Sequence, residues 1–130
     1  MGALLDTSVV IDLDQEAVAS QLPEEVSIST VTLAELAVGP QLAQTRVEQA
    51  RRQFRLQQIE SIFEPRVFDA DAARAFGQIV AAVVGAGRSH RRRITDLMIA
   101  ATAMACRLDL YTRNPEDFEG LEELITVCVV

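Results

Sequence analysis

Residues 94–118, ITDLMIAATAMACRLDLYTRNPEDF, combine a helix, a strand and a turn in one short stretch. Asp96 opens a run that is apolar on nearly every face, which is typical of a buried helix. A short apolar strand at 110–112 follows, and an Asn-Pro pair then signals a turn. Sites in α/β sheets form in the loops beyond the carboxyl ends of the strands. The polar side chains that this pattern places in such a loop are Thr112, Asn114 and Asp117.

The composition fits one domain, residues 1–130. The chain has 130 residues, of which 49% are hydrophobic, enough for a single core. The longest uncharged apolar run, 79–86, is too short to span a bilayer. The first residues, MGALLDTS, lack the basic region of a secretory signal. We therefore expect a cytoplasmic protein with no membrane attachment, in which Cys106 and Cys128 pack as reduced thiols.

The charge is acidic but unevenly distributed. The formal net charge is −7, from 19 acidic and 12 basic residues, which taken alone argues against a nucleic-acid partner. Every basic residue is arginine, and the chain contains no lysine. One basic segment, RSHRRR at 88–93, lies directly before Asp96.

The remaining elements alternate between strands and helices. Asp6 follows an apolar strand, with Ser8 as a candidate cap for the short helix after it. Glu35 lies one turn into the helix 31–38, among apolar neighbours. The predicted elements, in order, are strand 3–5, a short helix, strand 26–29, helix 31–38, helix 44–63, helix 71–84, the core helix, strand 110–112 and a final strand 125–130. This order predicts an α/β sandwich with a mainly parallel sheet.

The arm 44–63 carries two apolar stripes that point in different directions. One stripe consists of Val47, Ala50 and Phe54, and the other of Leu56, Ile59 and Phe63. The pattern indicates either contacts on two sides, one of them with a second chain, or a kink near Arg55. The sequence leaves both interpretations open.

Four acids occupy comparable places beside these elements: Asp6, Glu35, Asp96 and Asp117. If the sheet is parallel, all four can converge at its carboxyl edge, where they need compensating positive charge. Oxygen ligands in that number suit Mg²⁺ or Mn²⁺, which can promote attack on a phosphodiester. A single histidine and no cysteine pair at ligand spacing argue against zinc, and no Gly-rich phosphate loop is present.

The motifs LLDTSVVID, TVTLAEL, RITDLMIAATA and LYTRNPEDFEGL together resemble a PIN domain, and most nearly the VapC toxin ribonucleases of VapBC toxin–antitoxin pairs. The resemblance covers essentially the whole chain in the right order. It implies a three-layer α/β/α sandwich with a four- or five-stranded parallel sheet. It also implies a Mg²⁺- or Mn²⁺-dependent endoribonuclease that acts on structured RNA such as tRNA or rRNA, forms homodimers and binds a VapB antitoxin.

The resemblance assigns roles to particular positions. Asp6, Glu35, Asp96 and Asp117 match the four acids of the family, and Thr7, Thr112 and Asn114 match polar positions beside them. Two further sets are hypotheses of our own. We interpret Arg88, Arg91, Arg92 and Arg93 as contacts for the RNA backbone, with a solvated basic loop as the alternative. We assign Phe54, Leu56 and Ile59 to the antitoxin surface.

Several other functional classes share part of this pattern. Receiver domains and haloacid-dehalogenase-like phosphotransferases share an acidic Mg²⁺ pocket but need a lysine, which this chain lacks. A dehalogenase also needs a second aspartate at position 8, where this chain has Ser8. A non-catalytic binding module would be expected to lose at least one of the four acids. A PIN-fold nuclease outside a toxin–antitoxin pair, and action on DNA, both stay open.

Overall fold

The computed structural model describes residues 2–130. Four short strands, six α-helices and three 3₁₀ turns make up this part of the chain. In order they are β1 (Ala3–Leu5), α1 (Thr7–Ile11), α2 (Glu16–Ala19), β2 (Val26–Ser27), α3 (Thr30–Val38), a 3₁₀ turn (Gly39–Leu42), α4 (Arg46–Ile62), α5 (Ala70–Gly85), a 3₁₀ turn (Arg91–Arg93), α6 (Ile94–Cys106), β3 (Asp109–Thr112), a 3₁₀ turn (Pro115–Phe118) and β4 (Val127–Val129).

The four strands form one parallel sheet in the order β2-β1-β3-β4. Leu5 pairs in register with Tyr111, so β1 and β3 end side by side. The residues that follow them, Asp6 and the loop after Thr112, therefore emerge at the same edge. This parallel arrangement confirms the predicted fold class and brings the first predicted acid next to the YTRN segment.

Helices cover both faces of the sheet, because neighbouring strand residues point to opposite sides. Leu4 and Leu110 pack into a core formed mainly with α5 and α6, while Leu5 packs into a second core with α1, α3 and α4. The result is the three-layer sandwich that the sequence predicted. Within residues 2–130, no helix has the length and apolarity needed to cross a membrane.

Helix α6 is the buried helix that its sequence indicates. Leu97, Ile99 and a run of alanines are all fully buried, and the helix packs extensively against α5. The helix ends where Arg107 adopts a left-handed conformation, with φ of 56°. Alanine side chains allow the two helices to approach closely. Asp96, in the first turn, is thereby fixed to a rigid part of the core.

Helix α4 decides between the two interpretations of the arm 44–63. It is one continuous helix with no break at Arg55, and Thr45 caps it by accepting a hydrogen bond from the backbone N of Glu48 at 3.1 Å.

Ile59 is only 5% exposed and packs in the second core, with Leu56 half-buried beside it. Assigning Ile59 to a partner surface was therefore wrong, because this side chain is already covered by its own chain. Phe54, at 61% exposure, is free to meet a partner.

Candidate metal centre

Asp6 is the most buried acid of the predicted site. Its backbone N donates to the carbonyl O of Tyr111 at 2.8 Å, which ties the end of β1 to β3. The carboxylate is 3% exposed. Its Oδ2 accepts hydrogen bonds from the Ser8 hydroxyl at 2.7 Å and the Thr112 hydroxyl at 2.8 Å. Its Oδ1 is buried without any hydrogen-bond partner among the described residues, which is costly for a charged oxygen.

Ser8 has a different role from the helix cap that the sequence suggested. It lies inside α1, where Asp6 is the N-cap residue, and its hydroxyl serves the Asp6 carboxylate. The same Ser8 oxygen accepts a hydrogen bond from the backbone N of Arg113 at 3.1 Å. Ser8 therefore links the acid to the loop after β3. The only signal in the sequence was a hydroxyl two residues after an aspartate, in the first turn of a helix.

Glu35 is held by the hydroxyl group of Thr7, which also lies beside a hydroxyl group on the helix that carries Glu35. The Thr7 hydroxyl donates to Glu35 Oε1 at 2.7 Å and lies 3.0 Å from the Thr32 hydroxyl. Thr32 is fully buried, and its backbone N donates to the Ser29 side chain at 3.0 Å, which caps α3. The predicted contribution of Thr7 is thus visible as a direct contact. Thr32 was missed, because its spacing is equally that of an ordinary position on the buried face of a helix.

Asp96 has the strongest electrostatic signature of the site. Burial and, in decreasing order, the charges of Asp6, Asp117 and Glu35 together raise the pKa of Asp96 from 3.8 to about 7, against a lowering effect from Arg93. Asp96 lies inside the first turn of α6, where Arg93 is the N-cap residue, so it is not a cap itself. The three acids that act on it are the other three members of the predicted set.

Asp117 lies at the outer part of the site, on the 3₁₀ turn Pro115–Phe118. Burial raises its pKa, as do the charges of Glu116 and Asp6, while Arg93 and Arg88 lower it. Arg93 Nε lies 3.7 Å from Asp117 Oδ1. This acid is therefore partly neutralised by the protein, unlike Asp6.

The four acids are neighbours, but they do not close around a common point. Within residues 2–130, no three Asp, Glu, His or Cys side chains are gathered tightly enough to hold one metal ion together. Like charges at this separation still act on one another, since the charges of the other three acids raise the pKa of Asp96. The polar contacts of the site hold Asp6 and Glu35 in place, and leave Asp96 without a hydrogen bond from a hydroxyl.

Thr112 and Asn114 link the site to the loop that carries Asp117. The Thr112 hydroxyl contacts Asp6, and its oxygen also accepts from the backbone N of Asn114 at 2.9 Å. Asn114 precedes the 3₁₀ turn, without a side-chain hydrogen bond that caps it. The contribution of Thr112 is thus a contact to the acid, whereas that of the Asn114 side chain stays a prediction.

The arginine segment before α6 divides into two pairs. Arg88 donates to the backbone O of Glu119 at 3.0 Å and of Glu116 at 2.9 Å, and Arg93 faces Asp117. Arg91 and Arg92 are exposed and make no ion pair with any residue of the described chain. Arg88 and Arg93 are therefore engaged within the protein, where they hold the turn of Asp117. The proposed contact with a nucleic-acid backbone falls mainly to Arg91 and Arg92.

Comparison with known proteins identifies the family. The sequence pattern of the family described as "PIN domain" matches residues 3–124. The chain belongs to the PIN-domain family. This PIN domain is 34% identical over 131 residues to Ribonuclease VapC5 of Mycobacterium tuberculosis, covering 99% of this chain and 94% of the relative.

Solved structures show the same fold. The VapBC-5 toxin–antitoxin structure from Mycobacterium tuberculosis contains a chain that is 34% identical, with a TM-score of 0.84 and coverage of 100% of this chain and 98% of that one. A chain of the FitAcB structure from Neisseria gonorrhoeae is 28% identical, with a TM-score of 0.79 and coverage of 96% and 95%. The PIN domain described here thus shares its fold over nearly the full length with VapBC-type proteins.

Proposed function

We propose that this protein is the toxin of a type II toxin–antitoxin pair and a Mg²⁺- or Mn²⁺-dependent endoribonuclease. Its substrate would be structured RNA, either tRNA or rRNA, cut by phosphodiester hydrolysis. Membership of a family whose relatives are named Ribonuclease VapC supports a ribonuclease, and structures of VapBC pairs support a toxin. The observation that carries the catalytic proposal is the proximity of the four acids, since the charges of Asp6, Asp117 and Glu35 all raise the pKa of Asp96.

The residues present fit a divalent cation. Asp6 Oδ1 is a buried, charged oxygen with no hydrogen-bond partner among the described residues, and a cation would satisfy it. Carboxylate oxygens are the ligands that Mg²⁺ and Mn²⁺ prefer. We assign the ion to Asp6 and Asp96, with Glu35 and Asp117 completing its environment. Bound there, such an ion lowers the pKa of water and neutralises charge on a phosphodiester.

The chain's own residues prepare the acids for this role. Ser8 and Thr112 occupy Oδ2 of Asp6, so Oδ1 is left to face the ligand. Thr7 holds Glu35 through Oε1 and leaves its second oxygen free of that contact. Arg93 moderates the charge of Asp117. These contacts orient Asp6 and Glu35 before a metal ion or a substrate phosphate binds.

Removing the buried acid tests this proposal. Asp6→Asn should abolish cleavage without unfolding the protein, because it removes the charge and keeps the side-chain size. Purified protein is incubated with total tRNA and rRNA and with Mg²⁺, Mn²⁺ or EDTA, and the cut ends are sequenced. We expect 5′-phosphate and 3′-hydroxyl ends. Activity that persists in EDTA would contradict the metal requirement.

A matched control tests whether the loss of cleavage is specific to the site or follows from the loss of any negative charge. Asp109 opens β3, at the opposite end of the strand from the acids. Asp109→Asn should cleave RNA like the wild type. Single-stranded and duplex DNA, included in the same assay, test action on DNA.

Two further functions remain as alternatives: a PIN nuclease outside a toxin–antitoxin pair, and a non-catalytic binding module. The former predicts cleavage without toxicity when the protein is expressed alone. The latter predicts neither cleavage nor a rise in melting temperature with Mn²⁺. Homodimer formation and an antitoxin of the VapB type belong to our main proposal.

A further inference from the structure

A cavity of about 410 Å³ joins the acid cluster to helix α4. Thr7 and Glu35 line it from the side of the metal centre, and Arg52 and Arg55 line it from α4. This volume lies within the range of pockets that accept small ligands and single nucleotide units. A group bound here would sit beside Glu35, one of the four acids.

The arginines of α4 are unequally paired. Glu48 contacts both Arg51 and Arg52, each at 3.1 Å, and Arg52 also donates to the backbone O of Gly39 at 2.8 Å. Arg55 is half-buried at the cavity wall and makes no ion pair with any described residue. Two of the four arginines of α4 thus share one glutamate, and of the two that make no ion pair with a described residue, Arg46 is exposed whereas Arg55 is half-buried beside the acids.

We propose that Arg55 binds a phosphodiester of the RNA strand, adjacent to the scissile one, with the neighbouring nucleotide in this cavity. The inference rests on the proposed ribonuclease function. A guanidinium matches phosphate oxygens in a bidentate geometry, and a half-buried one is screened less by salt than an exposed one. The protein as a whole has a net charge of −7. An arginine that makes no ion pair with any described residue, beside the proposed nuclease site, is nevertheless available to bind an anionic substrate.

This placement gives the substrate a second positive contact. Arg91 and Arg92 lead into α6, which covers one face of the sheet, whereas α4 packs on the other. An RNA strand lying across the carboxyl edge of the sheet would meet Arg91 and Arg92 on one side of the acids and Arg55 on the other. Arg55 is therefore a positioning residue for the substrate.

Binding of RNA without cleavage isolates this contact. A fluorescein-labelled RNA spanning the mapped cleavage site is titrated with protein in EDTA, at several salt concentrations. Arg55→Gln should weaken binding roughly tenfold at low salt, and should reduce the slope of log K against log salt by about 0.7, the value for one phosphate of a single strand. The control is Arg46→Gln, which removes an exposed arginine of the same helix that does not line this cavity.

A second measurement locates the phosphate. The RNA is synthesised with one uncharged methylphosphonate at successive linkages around the cleavage site. The loss of RNA affinity caused by Arg55→Gln should disappear when the methylphosphonate is at one linkage beside the scissile phosphate. It should persist when the methylphosphonate is at any other linkage. In steady-state cleavage, the variant should raise KM and leave kcat nearly unchanged.

The outcomes separate this inference from the proposed function. If the wild type neither binds nor cuts RNA, the ribonuclease proposal fails, and this inference fails with it. If the wild type cuts RNA but Arg55→Gln behaves like Arg46→Gln, only the role of Arg55 is wrong. A fall in kcat at unchanged KM would also overturn it. Should the glutamine variant unfold, Arg55→Lys keeps the charge and should retain the salt slope while losing part of the affinity.

Discussion

At the scale of single residues, hydroxyl groups decide how the acids differ. Asp6 receives two hydroxyl hydrogen bonds and Glu35 receives one from Thr7, so their orientation is fixed. Asp96 receives no hydroxyl hydrogen bond from the described residues, and burial and its three acidic neighbours raise its pKa to about 7. Asp96 is therefore the acid whose charged form is most destabilised by its surroundings when no cation is bound.

This destabilisation predicts the effect of Asp96→Asn on stability. In EDTA above pH 7, the variant should be more stable than the wild type by about 1 kcal/mol, after allowance for solvent screening of a half-exposed group. With Mn²⁺ the order should reverse, because only the wild type gains binding free energy in the folded state. Melting curves with and without Mn²⁺ measure both effects.

The stability difference between Asp96→Asn and the wild type should depend on pH. The folded protein binds the Asp96 proton more tightly than the unfolded chain does, because burial and neighbouring acids raise the pKa of Asp96 from 3.8 to about 7. The free energy of unfolding of the wild type should therefore fall as pH rises across that window. The advantage of Asp96→Asn in EDTA should be complete above pH 7 and vanish towards pH 4. An advantage that is independent of pH would contradict this origin.

At the scale of elements, the basic segment 88–93 and the 3₁₀ turn Pro115–Phe118 form one unit. Arg88 holds two backbone carbonyls of the 115–119 region, and Arg93 faces Asp117. The segment 88–93 therefore positions an acid of the site as well as presenting positive charge. Only Arg91 and Arg92 project from it without an ion pair to the described chain.

This division predicts how the arginines act on RNA. Replacing Arg91 and Arg92 together by Ala should weaken RNA binding most at low salt, and lower the salt slope by roughly one to two units. Cleavage at saturating RNA should change little, because the acids keep their positions. Fluorescence anisotropy over a range of salt concentrations measures the slope, with Arg46→Ala as the control. An unchanged slope would indicate that these two residues belong to a solvated basic loop and do not contact RNA.

At the scale of the whole molecule, α4 faces two environments. Ile59 is inserted in the core, while Phe54 and Ile62 stay 61% and 69% exposed along a groove beside α1. The groove has a volume of about 400 Å³ and includes Ile11 of α1. An amphipathic helix can place its apolar face in such a groove, so we assign this surface to the antitoxin.

Substitution at the groove tests the assignment. Phe54→Ser should free the protein from inhibition by a co-expressed antitoxin, because it removes an exposed aromatic contact and leaves the core intact. Its nuclease activity and melting temperature should match the wild type. Val47→Ser is the matched control, since Val47 is 71% exposed on the same helix but lies outside the groove. Equal inhibition of Phe54→Ser and the wild type would place the antitoxin elsewhere.

Much of the fold could be predicted because it rests on local patterns. The all-round apolar run of α6, the apolar strands and the acid after each of them are properties of neighbouring residues, and they predict a parallel α/β sandwich with four converging acids. The stripes of α4 were visible too, but periodicity cannot say which stripe is covered. Ile59 was therefore assigned to a partner when it belongs to the core.

The sequence by itself determined the order of elements, the four acids and the hydroxyl residues beside them. Only the tertiary structure decided which hydroxyl meets which acid, because Thr112 reaches Asp6 across 106 positions and Thr7 reaches Glu35 across 28. It likewise decided that Ser8 contacts Asp6, that Arg88 and Arg93 hold the turn of Asp117, and that Arg55 makes no ion pair within residues 2–130. Such pairings depend on how strands and helices pack in three dimensions, and no local pattern of residues encodes them.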